Sequence, residues 1–361
     1  MKIALPIYIL FSLGTALSPE FSAATPIPES SIPDSIDWFA HLDADQLRQS
    51  RAGATLLNEL TSLDPLKENT QMPINPVLLI NGLKGITAFG TMPDLKNPGS
   101  DVDVVTVVSG TPELLQIVKG LVSGMQLEQP EAIEEIAHGD HSILSMKQAG
   151  ICGVFLEEDK IAMSKSMDSM DRFLSVGQGG IPHLQFGQRF PAPVDATGLG
   201  VYFGAFVEGI SGFENLPAQA RVLQLTKAVA VQLGESDDNL HLLTSLVTKD
   251  PQTAQQVSSV LQGIIAMFIL TQNGHPDVAT LVDSARVKQA GNAVTLKVDY
   301  PATSAEKWIG VMVELMRQKM TEKASPEEAP AAEESPSEVA DASAAPDAAG
   351  PESTEEPTPA G

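Results

Sequence analysis

The sharpest cluster of potentially reactive side chains is His138-Gly139-Asp140-His141. A two-residue Gly-Asp turn between strands would set the two histidines directly opposite each other, with Cβ atoms about 4.5–5.5 Å apart. Such a pair can share a Zn²⁺ or Cu²⁺ ion if one or two further nitrogen or oxygen ligands are supplied, so His138 and His141 are the candidate metal ligands. Met163, Met167 and Met170 are spaced i, i+4, i+7, with Phe173 and Leu174 continuing the stripe. Thioethers are soft ligands, but methionines beside Phe and Leu at helical spacing are expected to pack in a core.

Other motifs fall short of a defined chemistry. Cys152, the single cysteine, lies in the apolar run Gly150-Ile151-Cys152-Gly153-Val154-Phe155-Leu156 and has no local base to activate it, so it is expected to be a buried small hydrophobe. Gly209-Ile210-Ser211-Gly212 is one residue short of a nucleophile elbow. The Gly177-Gln178-Gly179-Gly180 stretch lacks the Lys-Ser/Thr of a phosphate loop. Glu235-Ser236-Asp237-Asp238-Asn239 is an acidic turn without the spaced ligands of a calcium loop. No catalytic residue can be assigned from the sequence, and no cofactor is called for.

The elements that must position these residues show more pattern. Trp38-Phe39-Ala40-His41-Leu42 reads as a first strand, and Asp43 as the cap of a helix carrying Leu47, Leu56, Leu57 and Leu60. Val104 to Val108 is strand-like and is followed by Thr111-Pro112, just as Leu243 to Val247 is followed by Asp250-Pro251. Thr111 and Asp250 can accept from the free amides of a first helical turn, where Pro112 and Pro251 need no N–H. Val118, Leu121, Val122 and Gly124 then match Val257, Val260, Leu261 and Gly263 at a constant offset. Gly139-Asp140 and Gly291-Asn292 each punctuate two strands. This predicts an internal repeat, with Ala290 and Ala293 in the places of the two histidines. That comparison puts the histidines on the face carrying Lys288 and Lys297, expected to be solvent.

The predicted fold class is α+β, as duplicated lobes of mostly antiparallel sheet with packed helices. The expected boundaries are a signal peptide at 1–24, an extended leader at 25–33, a first lobe at 34–176 and an inter-lobe connection at 177–198. A second lobe follows at 199–324, and a disordered acidic Pro/Ala/Glu-rich tail at 325–361. Val260 to Leu270 is too short an apolar run to span a bilayer and is expected to be a buried core helix. The final helix places Trp308, Val311, Met312, Leu315 and Met316 on one stripe.

Met1-Lys2, an apolar stretch over 3–17 and Ser22-Ala23-Ala24 read as a signal cleaved after Ala24, with no cysteine near it to carry a lipid. The net charge is −24, and the ten acidic and no basic residues of 325–361 leave −14 on what precedes. That field repels nucleic acid and anionic lipid surfaces. One cysteine excludes an intramolecular disulfide.

The signal, the opening Asp37-Trp38-Phe39-Ala40-His41-Leu42-Asp43 with Leu47 and Leu56 behind it, and the Pro/Ala/Glu tail resemble large exported bacterial families of unknown function. The resemblance implies an architecture and no activity. The expectation is a periplasmic or secreted, non-enzymatic binding or envelope-scaffold protein whose partner is an unidentified protein or a small hydrophobic ligand. Nucleic acid is not expected as a partner, nor is stable membrane insertion after signal cleavage. A periplasmic carrier of a hydrophobic ligand, with an apolar pocket near 177–198, is the alternative, and an exported hydrolase comes third.

Overall fold

The computed structural model describes residues 31–62, 75–92, 103–157, 159–185, 200–209, 224–271 and 276–324. The signal, most of the leader, most of the 177–198 connection and the tail therefore lie outside the described residues.

The chain is α+β, and its strands form one antiparallel sheet of 12 strands. These are β1 (Trp38–Asp43), β2 (Leu83–Gly90), β3 (Val104–Gly110), β4 (Ile133–His138), β5 (His141–Met146), β6 (Ile151–Glu157), β7 (Lys160–Ser164), β8 (Gly200–Glu208), β9 (Thr226–Ser236), β10 (Asn239–Thr248), β11 (Arg286–Ala290) and β12 (Ala293–Pro301). The helices are α1 (Ala44–Gln49), α2 (Arg51–Ser62), α3 (Pro76–Gly82), α4 (Pro112–Glu128), α5 (Met167–Gly177), α6 (Pro251–Thr271), α7 (Pro276–Ser284) and α8 (Ala302–Ala324).

Local chemistry explains the element ends. The Asp43 carboxylate caps α1 through the Gln46 amide at 2.9 Å, and Thr111 caps α4 through the Leu114 amide at 3.3 Å. Asp250 accepts from the Thr253 amide at 2.7 Å at the start of α6. Gly139 and Gly291 both have φ of 58°, a positive first turn position that a hairpin of the predicted kind requires. Burial in β12 falls on Val294, Val298 and Tyr300, following the period-2 alternation.

The two segments expected as lobes contribute to the same sheet, because β1 pairs with β2 on one side and β8 on the other. One compact unit extends to Gln318. Outward from this central pair the strand order is the same in both directions, β1-β2-β3-β7-β6 one way and β8-β9-β10-β12-β11 the other. A helix follows β3 and β10, and another follows β7 and β12. By strand order, then, the counterpart of the β11–β12 hairpin is β6–β7. The β4–β5 hairpin with its histidines is an addition at the sheet edge, so the sequence pairing of Gly139-Asp140 with Gly291-Asn292 matched two turns that hold different places in the fold. Turn chemistry repeats wherever a tight hairpin is needed, whatever the strand order.

The register divides the helices between the sheet faces. One face carries α6 on Val229, Leu246 and Val294. The same face carries α1 and α2 on Ala40, Phe203 and Leu233, and α8 on Tyr300. The other holds α5, whose Met170, Phe173 and Leu174 pack with Phe39, Phe89, Val105, Val107, Ile143 and Val154. Ile32, at the end of the expected leader, is 1% exposed in this core, tied by the Leu184 amide to the Ile32 carbonyl at 2.7 Å.

Candidate apolar interaction surface

Two helices of the first face present apolar side chains outward. Helix α6 buries only small or β-branched residues of its first half, Thr253, Ala254, Val257 and Ser258, against the sheet. From residue 266 to 270 every position is exposed, with Ile269 at 48% and Leu270 at 85%. The expected buried core helix is therefore largely solvent-facing. Periodicity marks which residues are apolar, but here the buried, sheet-facing stripe stops after Leu261 among the described residues, and residues 266 to 270 stay exposed. By length and composition, Pro251–Leu270 is apolar enough to cross a membrane, with a mean hydropathy of 1.4 and 22% of it buried. No residue of α6 carries a charge.

Helix α8 is apolar on two sides. Ala302, Ala305 and Val313 are buried, with Ala305 packing on Ala52 and Tyr300. Polar contacts clamp that side to α2. The Arg51 Nε donates to Glu306 at 2.9 Å, Thr55 donates to Glu306 at 3.3 Å, and an Arg317 N–H donates to the Ser62 hydroxyl at 3.3 Å. The Arg51 hydrogen bond, ahead of an opposing desolvation effect, holds the Glu306 carboxyl below its ordinary value. With that side fixed, the predicted stripe faces outward: Trp308, Val311, Met312, Leu315 and Met316 are each between 46% and 52% exposed. A continuous helical stripe of exposed apolar side chains differs from ordinary surface scatter and is a candidate interaction surface.

The sequence-derived site residues lie elsewhere. His138 and His141 are directly opposed across the β4–β5 turn, as expected. They are on the face covered by α5, and the His138 Nδ1 lies 3.2 Å from the Asp171 Oδ1 of that helix, so the solvent expectation does not hold for His138. Among the described residues no group of three or more His, Cys, Asp or Glu is arranged to hold a metal ion. Met170 is fully buried, and Met167 packs beside it on α5. Met163 is on β7, where the register turns it to the opposite sheet face, because the helix starts only after the Ser166 cap. Cys152 is 3% exposed with its Sγ 3.4 Å from the Ser164 carbonyl, and burial pushes its thiol pKa up.

Gly179, at φ 74°, closes the C-terminus of α5, with the Gly180 amide bonded to the Ser175 carbonyl. This accounts for the glycine-rich stretch as a helix stop. In the acidic turn, Glu235 accepts from the amides of Arg51 and Ala52 at 2.8 and 2.9 Å, capping α2 from across the chain. Ile210-Ser211-Gly212 lies outside the described residues. An opening of about 270 Å³ bounded by Ile36, Phe89, Val105, Ser169 and Arg172 is below the usual range for a drug-sized ligand.

No family model matches the chain, and no curated protein resembles it. Three solved structures are similar in outline. Crystal form III of TP0453 has a TM-score of 0.46 at 8% identity, with 81% of this chain and 99% of that chain covered. Crystal form I gives 0.42 at 9% identity with the same coverage, and form IV gives 0.45 at 10% identity over 80% and 98%. Identities this low carry no function across.

Proposed function

We propose that this is an exported binding protein of the cell envelope that attaches to the surface of a lipid bilayer through the outer sides of α6 and α8. The carrying observation is that residues 266–270 of α6 are exposed at five consecutive positions. Consecutive helical residues are turned by about 100° from one another, so five of them face every direction. A rigid protein partner covers one stripe of a helix, whereas fluid acyl chains surround it. The α8 stripe supplies a second contact that lies along the surface, as interfacial helices do. Because the chain is strongly acidic, the fitting bilayer is zwitterionic rather than anionic.

Trp308 sits in the stripe and reports on it. In a Trp38→Phe background, phosphatidylcholine vesicles are expected to shift Trp308 emission to the blue, and brominated acyl chains are expected to quench it. An unchanged spectrum refutes the reading. An unchanged spectrum together with concentration-dependent sedimentation assigns the surface to a second copy of the chain instead.

A further inference from the structure

We propose that Ser236, His241 and Asp299 form a nucleophile, base and orienting carboxylate that hydrolyse carboxylic esters. The three come from adjacent strands. Ser236 ends β9, His241 is the third residue of β10, and Asp299 on β12 is directly opposite His241. On its other side His241 faces Gly234, two residues before Ser236, so no side chain separates the imidazole from the serine. The His241 Nδ1 is 2.5 Å from the Asp299 Oδ1, and the His241 Nε2 is 3.0 Å from the Ser236 Oγ. This is the hydrogen-bonded order that nucleophilic acyl transfer uses, reached by cross-strand register rather than by a sharp strand-to-helix turn.

Each partner fits its part. Burial opposes ionisation of Asp299, but hydrogen bonds from His241 and Lys297 outweigh it and keep the carboxyl below its ordinary value. Lys297 Nζ lies 3.0 Å from the same oxygen. A carboxylate there fixes the proton on Nδ1 and leaves the Nε2 lone pair to accept from the serine hydroxyl. The Ser236 carbonyl, 3.3 Å from Nε2, becomes an acceptor once that nitrogen is protonated. The two non-glycine residues with positive φ among those described, Asp237 at 49° and Asp238 at 61°, follow the serine directly. They form the two-residue turn between β9 and β10, where a tight hairpin requires positive φ at both central positions. The Asp237 N–H, next in the chain after the nucleophile, has no backbone acceptor among the described residues and is the group the proposal assigns as oxyanion donor.

The reaction balances with water alone. Ser236 Oγ bonds to the ester carbonyl carbon as its proton passes to Nε2. The tetrahedral intermediate then breaks its bond to the alcohol oxygen, which takes that proton and leaves. Water adds to the acyl-serine, giving its proton to Nε2. Cleavage of the Oγ–acyl bond returns the proton to the serine and releases the carboxylic acid.

The test uses the full mature chain with p-nitrophenyl acetate and with a fluorophosphonate, followed by peptide mass spectrometry. The expected results are nitrophenol release that Ser236→Ala abolishes and Asp299→Asn lowers at least tenfold, with the phosphonyl adduct on Ser236. Ser236→Ala is a small change at a hairpin end, and an unchanged circular dichroism spectrum confirms that it folds. Hydrolysis unaffected by Ser236→Ala, or the absence of an adduct on Ser236 in the folded chain, overturns the proposal. Neither readout depends on bilayer binding, so this proposal and the bilayer reading fail separately.

Discussion

Replacing Val311 and Leu315 together by glutamate should remove most of the affinity of the chain for zwitterionic vesicles. Full burial of a Val, Leu or Met side chain contributes about 1.5–3 kcal/mol. Val311 and Leu315 stand 52% and 48% exposed in the folded protein. Each therefore has roughly half of that to gain from a bilayer, or about 1 kcal/mol, and the pair about 2 kcal/mol. Forfeiting 2 kcal/mol lowers the partition coefficient roughly 30-fold, and two carboxylates in the acyl boundary push it down further. Flotation with phosphatidylcholine vesicles measures the loss directly. The fold should survive, because the buried side of α8 runs through Ala302, Ala305 and Val313 and its clamp to α2 through Glu306. An unaltered partition coefficient in a correctly folded double variant would refute the assignment of the stripe to the bilayer.

Three further outcomes test the packing. Gly120→Ala, with open space around the new Cβ, should stabilise α4 by about 0.5–1 kcal/mol in urea unfolding. Gly53→Ala should destabilise instead, since its Cβ would lie 2.1 Å from the Leu47 carbonyl oxygen, so equal signs for the two substitutions would contradict the close contact of α1 and α2. Met170→Ala should cost about 2–5 kcal/mol in the same assay, because that side chain is fully buried between α5 and the sheet. Asp250, Asp299 and Glu306 are all held below their ordinary values of 3.8, 3.8 and 4.5. Folding therefore favours their ionised forms, and the stability they add is present above those values and lost as pH falls through and below them. The melting temperature should begin to drop below about pH 4.5, and a melting temperature that rises on acidification would contradict the sign.

Local chemistry was legible in the amino-acid order. Thr111-Pro112 and Asp250-Pro251 begin helices because a side-chain acceptor and a missing N–H act within one turn. Gly139 and Gly291 mark hairpins because a positive φ costs glycine nothing. The alternation of Val294, Leu296 and Val298 foretold one buried face because strand side chains alternate whatever the neighbour.

Strand order, the uncovered helices and the Ser236, His241 and Asp299 cluster were decided only by the tertiary structure. The sequence compared β11–β12 with β4–β5, while the sheet sets β12 beside β10 and places β7 and β6 between β3 and β5. An apolar stripe in α6 or α8 reads the same whether another element covers it or not, since periodicity records which side chains are apolar and not what lies opposite them. His241 and Asp299 are 58 residues apart in the chain and meet through cross-strand register. No local spacing encodes that contact, because it exists only once β9, β10 and β12 are side by side.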